Sequence, residues 1–355
     1  MGKIRVLIVD DSAVIRRVLT QALASDGEIE VVGVAANGKI ALERIQQTPP
    51  DVVVLDVEMP ELDGLSTLEQ IRANYKHLPV IMYSTQTHRG AYITIRALLL
   101  GANDYVHKHS DNESLEEAIR NIQRDLIPRI KAVFKKNETV KQEFKPAKKN
   151  LVANGKIDVL AIGSSTGGPN ALLTIIQGLP KNLPVPVLIV QHMPPMFTQM
   201  LANQLNAQYG IKVIEAFDGV EIQNGCAYVA PGDYHMELRA KNDKTVIALN
   251  QNPPENSCRP SVDVTFRSVA DFYGSNILAV ILTGMGQDGL RGCERIRENG
   301  GRIIAQDEKT SVVWGMPGAV ARAGLADEIL PVTEIAPAII RIISDSRPLW
   351  FPVFK

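Results

Sequence analysis

The chain has 355 residues and a mass of 38.9 kDa, too long for one ordinary domain; with 45% hydrophobic and 22% charged residues it is a folded globular protein, not a disordered one. Lysine and arginine total 38 against 39 acids, giving a net charge of −1 and a pI of about 6.6, so nothing in the whole-chain charge points to nucleic acid or an anionic membrane surface. Three cysteines, Cys226, Cys258 and Cys293, fall in no metal-ligand spacing and point to a reduced, cytoplasmic chain.

The N-terminal apolar run is too short for a secretory signal, and Val6 stands where a myristoylation motif wants Ser or Thr. No apolar run approaches the roughly 20 residues of a membrane-spanning helix, so no membrane insertion is expected. In the first part, β-branched runs at 5–9, 31–35, 52–55, 80–83 and 104–106 predict strands. Between the first two, Val14/Ile15, Val18/Leu19 and Ala22/Leu23 recur at helical spacing behind Asp11-Ser12 as capping residues. Such alternation predicts βαβ units on a parallel sheet. Residues 135–156, rich in lysine and poor in apolar side chains, predict a solvated linker between domains at 1–134 and 157–355. A second α/β pattern follows, with strands expected at 159–162, 185–190, 227–230, 245–249, 277–282 and 302–305. Trp350, in the aromatic tail at 348–355, is expected to pack rather than to act.

Asp10-Asp11 ends the first expected strand and Asp56 the third. A parallel sheet brings these ends to one edge, where open α/β sheets bind ligands. Three carboxylates so placed need a hard cation, and Mg²⁺ prefers such oxygens. Ser84 and Lys108 add a hydroxyl and an amine at the same edge, a set suited to a carboxylate that accepts a phosphoryl group.

This region resembles the response-regulator receiver domain over about residues 3–125. The resemblance rests on Val9-Asp10-Asp11-Ser12, Leu55-Asp56-Val57-Glu58-Met59-Pro60, Asp63-Gly64, Ser84, Gly101-Ala102-Asn103-Asp104-Tyr105 and Lys108. It implies that Asp56 is phosphorylated and that Asp10, Asp11 and Asp56 hold Mg²⁺ with the main-chain carbonyl of Glu58. It further implies that Ser84 and Tyr105 form a switch pair and that Lys108 binds the phosphoryl oxygens. The family usually has Lys-Pro where this chain has Lys108-His109. A cis bond to a non-proline residue costs about 2.5–4 kcal/mol, so this bond is expected trans.

In the second part, a strand runs into Gly163-Ser164-Ser165-Thr166-Gly167-Gly168-Pro169 and then a helix. The loop lacks the lysine or the GxGxxG of a phosphate cradle. It fits the G-x-S-x-G elbow of a nucleophilic serine, and a purely structural glycine turn stays open beside that reading. A serine nucleophile needs a base and an orienter. His192 follows the strand at 185–190, and Asp288 lies in the loop after the strand at 277–282. His235 is the rival base; Asp263 and Asp307 are rival orienters. The order Ser165, His192, Asp288 disfavours an ordinary α/β-hydrolase, which runs serine, acid, histidine.

These loops resemble the catalytic domain of the chemotaxis protein-glutamate methylesterase family. The matching segments are 163–169, Gln191-His192-Met193-Pro194, Ala230-Pro231-Gly232 with His235, Arg259-Pro260-Ser261-Val262-Asp263, 283–289 and Trp314-Gly315-Met316-Pro317-Gly318. Ser164 replaces an alanine common in relatives, a change of little expected weight. The resemblance implies two doubly wound α/β domains, a flavodoxin-like receiver and a mainly parallel, Rossmann-like serine hydrolase. Ser165 would be the nucleophile, His192 the acid/base, Asp288 its orienter and the Met285 N–H part of the oxyanion hole. The expected activity is demethylation of glutamate methyl esters on chemoreceptors, with deamidation of receptor glutamines beside it. A chemotaxis histidine kinase would be the phosphodonor, and the unphosphorylated receiver would hinder the active site. Mg²⁺ would serve phosphorylation, with no cofactor for hydrolysis. Two other classes stay open: an esterase acting on a non-receptor ester, and a catalytically inactive adaptor.

Overall fold

The structure, a computed structural model, describes residues 2–85, 87–108, 114–135, 155–207 and 210–354. The Lys108–His109 bond and most of the expected linker lie outside the described residues. The chain divides into two compact units, Met1–Val140 and Lys141–Lys355.

The first unit alternates strand and helix: β1 (Ile4–Val9), α1 (Ala13–Ala24), β2 (Ile29–Ala35), α2 (Gly38–Gln47), β3 (Val52–Asp56), α3 (Gly64–Asn74), β4 (Val80–Ser84), α4 (His88–Leu99), β5 (Asp104–His107), α5 (Leu115–Asp125) and α6 (Ile127–Lys135). The strands pair in the order β2-β1-β3-β4-β5, and every pairing is parallel. All five expected strands are present, each longer by one or two residues. The central strand β3 is wholly buried and reads as an unbroken apolar run ending in Asp56, as a strand covered on both faces must. Each helix from α1 to α5 starts on a side-chain cap: Ser12, Asn37, Asp63, Thr87 and Ser114 accept backbone N–H groups of the first turn. At α1 the cap is Ser12 alone, which frees Asp11. Val14, placed on the apolar face by its spacing, is 71% exposed; α1 buries Leu19, Ala22 and Leu23 instead.

The second unit holds β6 (Val159–Ser164), α7 (Gly168–Gly178), β7 (Val187–Gln191), α8 (Phe197–Asn206), β8 (Lys212–Glu215), β9 (Cys226–Val229), β10 (His235–Lys241), β11 (Lys244–Asn250), α9 (Val262–Tyr273), β12 (Ile277–Ile281), α10 (Leu290–Glu298), β13 (Arg302–Gln306), α11 (Met316–Arg322), β14 (Glu328–Leu330) and α12 (Val332–Ser346). Seven strands form a wholly parallel sheet in the order β14-β13-β12-β6-β7-β9-β8. From β6 the chain winds outward through β7, then returns to β6's other side at β12. The switch point therefore lies between the C-terminal ends of β6 and β12, where doubly wound sheets open a crevice.

Three strands escaped the sequence reading. β8 and β14 are short edge strands without an apolar run. β10 pairs antiparallel with β11 in a separate hairpin, so the strand expected at 245–249 lies outside the parallel sheet. Its turn residues Asn242 and Asp243 both have positive φ, 50° and 59°, the local signal of a two-residue hairpin. In the tail, the Trp350 indole N–H donates to the Asn182 carbonyl at 2.9 Å, while Leu349 and Phe351 stay exposed.

Helices α9 and α10 pack closely because Gly292 of α10 lies against Phe266 of α9: a Cβ there would meet Phe266 Cβ at 2.5 Å. Alanine at this position gains about 1 kcal/mol of helix propensity but overpacks the contact at about 1–3 kcal/mol. The clash should win, and Gly292→Ala should lower the melting temperature measured by calorimetry. An unchanged or higher melting temperature would show that the helices separate freely.

Candidate active site and phosphoacceptor site

At the C-terminal edge of the first sheet, Asp10 follows β1 and Asp56 closes β3, both buried, with Asp11 exposed beside them. One carboxylate oxygen from each of Asp10, Asp11 and Asp56 lies within 4.8 Å of the others, a hard-oxygen set that fits a divalent cation such as Mg²⁺. Lys108, just after β5, places Nζ 2.8 Å from Asp10 Oδ2 and 2.7 Å from Asp56 Oδ2. Asp56 Oδ1 accepts the Val57 N–H at 2.7 Å. Burial pushes the Asp56 carboxyl up to about 6, against the pull of Lys108. Burial alone would lower the Lys108 ammonium, but its two carboxylate partners outweigh it and hold it above the ordinary lysine value.

The Glu58 carboxylate does not join this group. It pairs with Arg89, Nε to Oε1 at 3.2 Å, and its expected contribution is the main-chain carbonyl. Ser84, buried at the end of β4, donates Oγ–H to the Thr85 carbonyl at 3.3 Å. Tyr105 lies one strand over in β5, where burial raises its phenol well above the ordinary range and its ring meets His107 edge-on at 5.2 Å.

In the second unit, three loops converge on the crevice between β6 and β12. Ser165 directly follows β6, half-buried, and donates its N–H to the Thr283 carbonyl at 3.0 Å, which ties the loop after β6 to the loop after β12. Close approach is possible because residue 284 is glycine: a Cβ there would lie 2.9 Å from Ser165 Cβ and 2.3 Å from Met316 Sδ. His192 follows β7, and its Nε2 lies 2.7 Å from Asp288 Oδ2. The two residues are 96 positions apart and meet through strand order alone.

Asp288 is buried and surrounded by donors. Its Oδ1 accepts from Ser261 Oγ at 2.9 Å, Asn256 Nδ2 at 2.8 Å, and the N–H groups of Asp263 at 3.1 Å and Gly289 at 3.0 Å; Oδ2 accepts from the Val262 N–H at 2.7 Å as well as facing His192. Val262 and Asp263 open α9, so the carboxylate sits on the positive end of that helix. Burial alone would raise this carboxyl; His192 and the amides outweigh it and hold it below the ordinary range. Burial likewise disfavours a charged His192, and Asp288 and Cys258 outweigh it, holding the imidazole above the ordinary histidine value.

The rival residues are otherwise engaged. His235, buried at the start of β10, has Nε2 3.2 Å from the Pro253 carbonyl and takes the Ser261 N–H on Nδ1 at 3.3 Å. Asp263 accepts the Gly292 N–H at 2.7 Å and Asn256 Nδ2 at 2.8 Å, and Asp307 accepts the Thr310 N–H at 3.0 Å. The Met285 N–H, next to Gly284, has no acceptor among the described residues, and the Met285 side chain is exposed. No hydrogen bond joins Ser165 Oγ to His192 among the described residues; the ring's Nδ1 instead has Cys258 Sγ at 3.5 Å.

Sequence reasoning missed several contributors. Buried Gln191 donates Nε2–H to the carbonyls of Ser165 at 3.0 Å and His192 at 3.3 Å, and accepts Ser164 Oγ–H at 2.7 Å. Ser164, the last residue of β6, therefore makes a hydrogen bond that an alanine side chain could not. Asn256, Cys258 and Ser261 also belong to the site. Ser261 lies within the matching Arg259–Asp263 segment but carried no assigned role, and the only sequence signal for Asn256 and Cys258 was proximity to it.

Comparison with known proteins identifies the family. Residues 160–339 match the CheB methylesterase family and residues 6–120 the response regulator receiver domain. A protein-glutamate methylesterase/protein-glutamine glutaminase of Trichodesmium erythraeum is 50% identical over 97% of this chain and 100% of its own length. One of a Nocardioides species is 45% identical over 99% of both chains. The solved catalytic domain of Thermotoga maritima CheB methylesterase is 45% identical with a TM-score of 0.52, covering 53% of this chain and all of that one. An α/β chain with these loops, strand order and full-length relatives belongs to the CheB methylesterase family, with a response-regulator receiver domain preceding the catalytic domain.

Proposed function

We propose that this chain removes methyl esters from glutamate side chains of chemoreceptors, and ammonia from receptor glutamines, under control of phosphorylation at Asp56. The observation that carries the reading is the His192–Asp288 pair, 2.7 Å apart with the carboxylate buried, beside Ser165 at the switch point of the sheet. The full-length relatives named protein-glutamate methylesterase/protein-glutamine glutaminase support it and disfavour both an inactive adaptor and an esterase of soluble metabolites.

In this mechanism Ser165 Oγ attacks the ester carbonyl as His192 takes its proton. Nε2 is committed to Asp288, so Nδ1 is the accepting nitrogen. The imidazolium that forms is stabilised by Asp288, whose own charge is held by the start of α9. The Met285 N–H receives the developing oxyanion. His192 then passes the proton to the departing methoxide, releasing methanol, and activates the water that hydrolyses the acyl-enzyme. An amide enters the same acyl intermediate with ammonia as leaving group. In the first unit, Asp56 is the phosphoryl acceptor, Lys108 the cation on the phosphoryl oxygens, and Ser84 and Tyr105 the pair that responds. Asp10, Asp11, Asp56 and the Glu58 carbonyl would hold Mg²⁺, which when bound offsets charge on the transferring phosphoryl group. A chemotaxis histidine kinase is the phosphodonor in this reading, the location is cytoplasmic, and nucleic acid plays no part. No helix among the described residues is long and apolar enough to cross a membrane.

Two outcomes follow. His192 must be neutral to accept a proton, and its partners hold its proton more tightly than usual, so kcat/KM should rise with pH through an acid limb above the ordinary histidine value of about 6.5. Measured methanol release from methylated receptors should show this limb, and Asp288→Asn should move it to lower pH with a large loss of kcat. A limb at or below pH 6.5 in the parent would contradict the pairing. Ser165→Ala should lose several orders of magnitude in turnover.

For the receiver, Asp56→Asn should keep basal hydrolysis and lose all stimulation by a small phosphodonor. Chelating divalent metal should do the same to the parent protein. Stimulation that survives either treatment would remove Asp56 and its metal from the regulation.

A further inference from the structure

His192 is held from two sides, and only one of its partners is a member of the triad. Nε2 faces Asp288, and Nδ1 lies 3.5 Å from Cys258 Sγ. With Nε2 committed, whatever stands beside Nδ1 stands where the Ser165 proton arrives. The placement of Cys258 is built, not incidental. The turn from Glu255 to Cys258 closes on itself, Glu255 N–H to Cys258 carbonyl at 3.1 Å and Cys258 N–H to Glu255 carbonyl at 2.9 Å. Its two inner residues, Asn256 and Ser257, have φ of 53° and 62°, a left-handed conformation that non-glycine residues adopt at a cost. Glu255 anchors the turn to Arg267 of α9 through two bonds of 2.7 and 2.6 Å. Asn256 then reaches Asp288 and Asp263 from the same turn, each at 2.8 Å. One short turn thus braces both the carboxylate and the ring. Cys226 and Cys293, in contrast, are buried in the core.

Building on the triad assigned above, we propose that Cys258 is a positioning residue for His192: its sulfur holds the Nδ1 edge of the ring, keeps Nε2 on Asp288, and accepts the N–H that Nδ1 carries once Ser165 has given up its proton. A thiol is a weak acceptor, so the hold steadies the imidazolium without keeping the proton from the leaving group. The ionisable groups that interact with the His192–Asp288 pair are Asp263 and Arg267 of α9, Glu255 of the turn and Cys293 of α10. All are unchanged in a variant of Cys258 alone, so a shifted pH profile in such a variant reports the sulfur contact.

The test uses full-length protein, methylated receptor membranes and methanol release, with Ser165→Ala beside the cysteine variants. Cys258→Ala should lower kcat about three- to tenfold, the scale of one modest hydrogen bond. KM should stay within about twofold of the parent, and the acid limb of kcat/KM should move to lower pH. Cys258→Ser, which keeps a hydroxyl at the position, should recover most of the lost kcat and return the limb toward the parent's. Cys258→Ala with the parent's kcat and pH profile would overturn the proposal. So would a Cys258→Ser no better than alanine with the limb unmoved, since the cysteine would then only fill space. Hydrolysis that survives in Ser165→Ala would instead overturn the triad on which the proposal rests.

Discussion

The buried carboxylate of Asp288 is the constraint around which the catalytic unit is arranged. An isolated charge so far from water costs several kcal/mol, and here six donors offset that cost: Ser261 Oγ, Asn256 Nδ2, three backbone N–H groups and the His192 ring. Each donor fixes a different part of the chain. The Val262 and Asp263 amides require α9 to begin at this spot, the Gly289 amide sets the entrance to α10, and Asn256 fixes the turn that also carries Cys258. Asp263 accompanies it under the same helix start, and burial pushes that carboxyl up to about 6. Two acids so close divide their roles: Asp288 keeps the charge that faces His192, and Asp263 is the one that holds a proton more readily.

The receiver unit solves a related problem with a different cation. Asp10 and Asp56 are buried at a switch point between β1 and β3, and a single ammonium, Lys108, lies within 2.8 Å of both. Both units therefore place their chemistry at the C-terminal edge of a parallel sheet, where strands that are remote in sequence end side by side. The chemistries differ because the receiver leaves Asp11 exposed and its carboxylates clustered for a metal, whereas the catalytic unit commits its acid to an imidazole.

Much of this was legible in the chain. Central strands such as β3 and β12 are continuous apolar runs, and the residues proposed above to carry the chemistry, Asp56, Ser165, His192 and Asp288, stand at or beyond the ends of β3, β6, β7 and β12, so strand ends are where the sequence pointed. The edge strands β8 and β14 and the polar strand β10 left no such trace, because an edge or a solvated hairpin needs no apolar run. His235 illustrates the limit. As a histidine between Ala230-Pro231-Gly232 and a later strand it competes with His192 on sequence alone. Only the fold shows both its nitrogens engaged by Pro253 and Ser261. Which nitrogen of His192 faces Asp288, and what stands against the other, depends on contacts across 96 and 66 residues and has no local signature.

A covalent intermediate on Ser165 is the claim on which the account rests. Rapid acid quenching of the protein mixed with methylated receptor and a phosphodonor, followed by peptide mapping by mass spectrometry, observes it directly. The account predicts a receptor glutamyl group esterified to the peptide that contains Ser165, more abundant with phosphodonor than without. A glutamyl adduct on any other residue, or turnover with no adduct on Ser165 under conditions that trap acyl-enzymes, would contradict it.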